Sequence, residues 1–224
     1  INDENAKMEY LKGLFTKTYL TDIQERYKIK YSAEFEELLD VVASSIGGLI
    51  NPSKLSNTFK SVKNVSLSQP TIKQYLDILQ DAFLVQKSIR YDIKGRSYID
   101  TPAKYYFEDL GLRNARLNFR QQEPTHLMEN LIYNELRIRG MAVDVGTVVT
   151  STLENGKCVR KQLEVDFVCN QGSKRCYVQS ALHLQSDEKI EQELRSLMRI
   201  DDSFSKFMIT SDPIKKHQNR DGIV

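Results

Sequence analysis

Two apolar stretches joined by a turn constrain this chain more than any other feature in it. Lys161 to Cys169 and Arg175 to Leu182 read as strands, and Asn170-Gln171-Gly172-Ser173 between them is turn chemistry, so the segment predicts a β-hairpin. An isolated hairpin is marginal in water and needs further elements to cover a face. The flanking sequence supplies them. A helix is predicted over 125–139 with Leu127, Leu131, Ile132 and Leu136 inward, and a strand or hairpin arm from Met141 to Thr150. A further helix follows over Asp187 to Arg199, and a last strand over Lys206 to Thr210. That order predicts an α/β domain over 125–224 with a central mixed sheet.

The N-terminal half has a different rhythm. Met8, Leu11, Leu14, Phe15, Tyr19, Leu20 and Ile23 form a helical stripe within 7–27, and Phe35, Leu38, Leu39, Val42 and Ile46 form another within about 33–47. Pro52 opens a short helix, and Ser68 caps a third whose buried stripe is Ile72, Tyr75, Leu76 and Leu79. Two β-like runs, Phe83 to Tyr91 and Ala103 to Phe107, follow across Lys94-Gly95-Arg96. Three compact helices and then a hairpin is the order of a winged helix-turn-helix, expected over 32–108. Residues 1–31 are a helical tail. Residues 109–124, with Arg113, Arg116, Arg120, Gln121 and Gln122, read as a connector. The fold class is therefore α+β.

Composition excludes some functions and leaves others open. Net charge is +2 over 224 residues, too even to establish nucleic-acid binding without local clustering. No apolar run approaches the ~18 residues of a membrane span, so no membrane partner is expected. Cys158, Cys169 and Cys176 show no CxxC pairing and fit a reducing, cytoplasmic setting. His126, His183 and His217 form no nucleophile–base pattern. The chain starts without Met and stops at Asp221-Gly222-Ile223-Val224, which predicts a fragment, truncated at its C-terminus.

Acidic residues supply part of a catalytic set. A metal-dependent phosphodiesterase gathers carboxylates around Mg²⁺, which polarises the phosphate and generates the attacking hydroxide. Glu129 lies on the helix that opens the C-terminal domain, and Glu164 and Asp166 alternate onto one face of the first hairpin strand. Glu129 and Asp166 are the candidate metal ligands. On the partner strand, Gln179 and Ala181 stand where such a site needs Glu and Lys. Gln offers a carbonyl but no charge, and Ala offers nothing.

The order Glu129, Asp166, Gln179-x-Ala181 resembles the PD-(D/E)xK, or restriction-endonuclease-like, superfamily in degenerate form. More narrowly, Tyr19–Ile23, Thr71–Leu76, His126–Leu136, Glu164–Val168 and Tyr177–Gln179 resemble, in that order, the C-terminal region of a group of prokaryotic AAA+ ATPases. The resemblance implies an ATPase module preceding this chain, with residues 1–31 as the tail of its lid, then the winged helix and a nuclease-like domain without established function. No G-x-x-x-x-G-K-[ST] occurs here, so ATP would belong to the missing module and no cofactor to this fragment, unless the acidic site holds Mg²⁺.

Two functions follow as expectations, with catalysis by this fragment left open. As a DNA-binding module, the chain would present Ser68, Gln69, Thr71, Lys73 and Gln74 from the third helix and Lys94 and Arg96 from the wing, backed by Lys60, Lys63 and the connector arginines. As an interaction module, it would oligomerise the ATPase or hold a protein partner. A weak metal-dependent nuclease is the third reading.

Overall fold

The computed structural model describes residues 3–62, 65–120, 123–154, 157–216, 218–219 and 221–224. Lys63, Gln121, Gln122 and His217 lie outside the described residues. The strands form a seven-stranded mixed sheet in the order β1-β3-β2-β4-β5-β6-β7, and the chain divides into two compact units. Residues 1–87 and 104–130 make the first, and residues 88–103 and 131–224 make the second.

The first unit begins with α1 (Glu4–Leu14), a π-helical stretch (Phe15–Leu20) and α2 (Thr21–Arg26), where the sequence predicts one helix. Helices α3 (Ser32–Ser44), α4 (Pro52–Val62) and α5 (Gln69–Asp81) follow, with the short strand β1 (Leu49–Ile50) between the first two. Ser68 caps α5 as expected, its hydroxyl accepting the Thr71 N–H. The predicted stripes of α3 and α5 are buried, whereas in the first stripe Phe15, Leu20 and Ile23 are buried and Met8, Leu11, Leu14 and Tyr19 only half-buried; Phe35 meets Tyr75 edge to face at 5.2 Å. The expected connector contains a helix, α6 (Leu110–Arg116), because Asp109 Oδ1 accepts the Leu112 N–H at 2.9 Å and Leu112 and Ala115 are buried. Strands β2 (Val85–Asp92) and β3 (Ser97–Phe107) and helix α7 (Pro124–Ile138) run from one unit into the other.

The second unit carries β4 (Ala142–Glu154), β5 (Lys157–Gln171), β6 (Lys174–Ala181), α8 (Asp187–Met198) and β7 (Ser205–Thr210). Strands β4, β5 and β6 pair antiparallel, whereas β2–β4 and β6–β7 pair parallel. The parallel β6–β7 pair needs a crossover, and α8 provides it. The core on one face gathers Tyr91, Ile93, Val148, Val165, Val168, Tyr177, Leu194 and Leu197. On β5, Phe167 instead meets Tyr133 of α7 at 6.3 Å between ring centroids.

Val165 and Val168 are three residues apart, yet both enter that core, which strict alternation forbids. A β-bulge explains it. The β4–β5 register steps from Asp144↔Val168 to Gly146↔Val165, so β5 carries one extra residue there, at Asp166-Phe167. Gly146 makes the bulge fit. A Cβ at that position would stand 2.8 Å from the Val165 Cβ, 2.9 Å from Val168 and 3.0 Å from Ile93.

Candidate functional site: the acidic strand and a cationic cleft

The acidic residues are locked into local hydrogen bonds. Glu129 is buried in the first unit, where its Oε1 accepts from Lys104 Nζ at 2.9 Å and from the Tyr106 hydroxyl at 2.7 Å. Gly47, at φ +75°, lets the backbone approach this carboxylate, since a Cβ there would lie 2.9 Å from Glu129 Oε2. The adjacent Asn130 bonds both the N–H and the carbonyl of Phe107, fixing α7 to β3 at 2.8 Å each. Glu129 therefore holds a buried lysine in place, a use that sequence spacing did not show.

Asp166 belongs to the second unit. Its Oδ2 accepts the backbone N–H and the hydroxyl of Ser180, at 2.7 and 2.9 Å. The β5–β6 ladder runs from Gln171↔Lys174 to Phe167↔Val178, and the side chains take over beyond it. Gln179 Oε1 accepts the Asp166 N–H and the Ser196 hydroxyl of α8, each at 3.3 Å. Gln179 thus lies beside Asp166, bonded to its backbone N–H and to Ser196 of α8, while the Asp166 carboxylate accepts from Ser180. Glu164 is half-buried opposite Thr147. Ala181 is buried. Among the described residues, no group of three or more His, Cys, Asp or Glu is arranged to hold a metal ion.

The candidate DNA contacts fare unevenly. On α5, Gln69, Lys73 and Gln74 are exposed, whereas Ser68 and Thr71 bond each other through their hydroxyls at 2.8 Å as part of the cap. Two connector arginines are unavailable for phosphate. Arg113 is buried and donates to the Ala43 carbonyl, and burial lowers the pKa of its guanidinium. Arg116 bonds Asp40 at 2.6 Å and Glu36 at 3.2 Å. Lys94 and Arg96 are exposed on the β2–β3 turn, where Asp92 Oδ1 accepts the N–H groups of Lys94 and Gly95.

That turn lines a cleft of about 740 Å³ within the second unit, and the Asn170–Ser173 turn lines it too. Lys94, Arg96, Lys174 and Arg175 bring four cations to it, against the carboxylates of Asp201 and Asp202. Among the described residues, Lys94, Arg96 and Lys174 make no side-chain hydrogen bond or ion pair. Arg175 is held flat instead. Its Nε donates to Asn170 Oδ1 at 2.7 Å and its Nη1 to the Tyr91 hydroxyl at 3.2 Å. The guanidinium lies 4.8 Å from the Tyr91 ring centroid and 5.6 Å from that of Phe204. Asp202 is engaged on both oxygens, by the Tyr177 hydroxyl at 2.6 Å and the Phe204 N–H at 3.1 Å. Burial and then the Asp202 carboxylate push the Tyr177 phenol up, so it stays a neutral donor. Lys174, Arg175, Tyr91 and Phe204 escaped sequence reading because nothing local joins the wing turn to the second hairpin turn.

With this geometry in view, comparison places the chain among known sequences. Residues 1–123, more than half of the 224, match the family described as a domain of unknown function, DUF8612. The chain belongs to this family. An uncharacterized protein of Haemophilus influenzae is 34% identical to it over 208 residues, covering 93% of this chain and 48% of that protein. Uncharacterized protein MJ1544 of Methanocaldococcus jannaschii is 29% identical over 198 residues, covering 88% of this chain and 41% of its own length. The chain thus spans about half the length, or less, of these curated relatives. Protein VC1899 of Vibrio cholerae, a crystal structure, aligns with 96% of this chain and 49% of its own at 14% identity and a TM-score of 0.26. The DUF8612 match includes the Asp92–Arg96 turn but ends before Asp166, Arg175 and Phe204.

Proposed function

We propose that this chain is a DNA-associated module that engages phosphates through the cationic cleft and does not cut. One observation carries the reading: Lys94, Arg96 and Lys174, on two separate turns and without ion-pair partners among the described residues, line one cleft beside Arg175. Cations held apart from carboxylates are what phosphate neutralisation requires. Exposed Lys73, Gln69 and Gln74 on α5 add polar groups of the kind that contact a duplex. In this reading, α3 to α5 with the β2–β3 hairpin are a winged helix, and β4 to β7 with α7 and α8 are a degenerate restriction-endonuclease-like domain. The engagement of Asp166 and Glu129 by Ser180 and Lys104 supports the view that this domain is inactive. The relatives are about twice as long as the matched region, which accommodates the AAA+ ATPase module that the resemblance implies.

Fluorescence anisotropy with a labelled duplex tests this. Binding is expected at ~50 mM salt and should weaken about 100-fold by ~200 mM, as about four phosphate contacts require. Lys94→Ala/Arg96→Ala/Lys174→Ala should flatten that dependence. No binding at ~50 mM overturns the proposal, and a concentration-dependent dimer in sedimentation without DNA binding would favour an assembly module instead.

A further inference from the structure

Resting on the DNA-associated reading, we infer that the cleft takes an unpaired nucleotide: one base with its phosphate, displaced from a strand. Three features separate this from ordinary backbone contact. First, the site is concave. A cleft of about 740 Å³ falls in the size range of small-molecule pockets, whereas a duplex backbone needs only an open cationic surface. Second, the cleft carries stacking surfaces. Phe204 lines the cleft at 40% exposure, with the Arg175 guanidinium 5.6 Å from its ring centroid. Aromatic faces and flat guanidinium groups are what an unstacked base uses, with little regard to which base it is. A phenyl ring does not serve a phosphate, so an exposed Phe has no role in purely ionic binding.

Third, the charges are sorted. The cations Lys94, Arg96 and Lys174 come from the two turns, while Asp201 and Asp202 come from the segment after α8 that also supplies Phe204. Asp202 is occupied by Tyr177 and the Phe204 N–H, whereas Asp201 is exposed and makes no contact of that kind among the described residues. A phosphate is repelled by Asp201 and drawn to the lysines, and an exocyclic amine of a base is an apt donor to Asp201. The nucleotide therefore enters with its phosphate toward the turns and its base edge toward Asp201.

The test compares a blunt duplex, the same duplex with a single-stranded tail, and the single strand alone, by anisotropy at ~50 mM salt, with dAMP as competitor. The tailed duplex should bind about tenfold more tightly than the blunt one, the gain expected of one stacked base. Phe204→Ala should bring the ratio of the two affinities close to one. Phe204→Leu serves if thermal unfolding shows the alanine variant to be destabilised. Millimolar dAMP should erase the ratio in the native chain. Equal binding of blunt and tailed DNA overturns this inference and leaves the DNA-binding proposal standing, as does a ratio that survives both Phe204 variants. Loss of all DNA binding overturns both. Calorimetric binding of dAMP without any preference for the tail assigns the cleft to free nucleotides and overturns its role with a strand.

Discussion

Asp166 and Ser180 are bonded twice across β5 and β6: the Asp166 Oδ2 accepts both the N–H and the hydroxyl of Ser180, at 2.7 and 2.9 Å. The carboxylate takes the place of a ladder carbonyl where regular pairing stops at Phe167↔Val178. Replacing Asp166 by Ala leaves a buried donor unsatisfied and should destabilise the chain by about 3 kcal/mol in urea unfolding. Ser180→Ala removes only the hydroxyl bond and should lose about 1 kcal/mol. A metal ligand would behave differently, since its removal commonly relieves charge repulsion, so a stabilised Asp166→Ala would reinstate the metal-site reading.

Glu129 and Lys104 form a buried ion pair at 2.9 Å, with the side chains 8% and 2% exposed. Removing one partner strands the other charge. Glu129→Ala should lose about 3–5 kcal/mol by denaturant unfolding, and Lys104→Met in the same chain should restore much of it. A loss below about 1 kcal/mol for the single variant would show that water reaches the pair.

Gly146→Ala should be among the most damaging small substitutions. The added methyl meets the Val165 Cβ at 2.8 Å, a β-branched side chain in the core that has no room to withdraw. We expect a loss of about 1–3 kcal/mol, typical of overpacking, in thermal or urea unfolding. Gly222→Ala offers a comparison without a close neighbour, although its φ of +77° carries a strain of its own.

Cys176 stands opposite Cys169 in the β5–β6 ladder, and the neighbouring Cys169 thiol lowers the Cys176 pKa to about 7. Lowering means the thiolate forms at lower pH than for an ordinary thiol. Iodoacetamide labelling of Cys176, followed by peptide mass spectrometry, should therefore reach half its maximal rate near pH 7. Cys169→Ala should move that midpoint upward. An unmoved midpoint would show that the pairing does not govern the thiol.

Much of the fold was legible because its signals are local. Ser68 as a cap, Pro52 at a helix start and the Asn170–Ser173 turn each act within a few residues, and the structure places elements there. Asp109 was a readable cap too, but the arginines around it obscured the helix it starts. The candidate site was less legible. The bulge at Asp166-Phe167 has no signature on its own strand, and its enabling residue, Gly146, sits on β4. Lys104 lies in a run, Ala103 to Phe107, that looks wholly apolar apart from it, and only the fold brings Glu129 to meet it. The cleft cations Lys94 and Lys174 are eighty residues apart in sequence, so no window along the chain contains both.

The interleaving of the two units limits how this chain can be dissected. The second unit takes Tyr91 and Ile93 into its core from residues 88–103, far upstream of the rest of it at 131–224. A fragment cut at the expected boundary, residue 125, would leave those side chains behind and expose the apolar surface they cover. Isolating that unit calls for rejoining 88–103 to it through a linker or a permuted chain order, and a fragment without that segment should aggregate or fail to fold cooperatively.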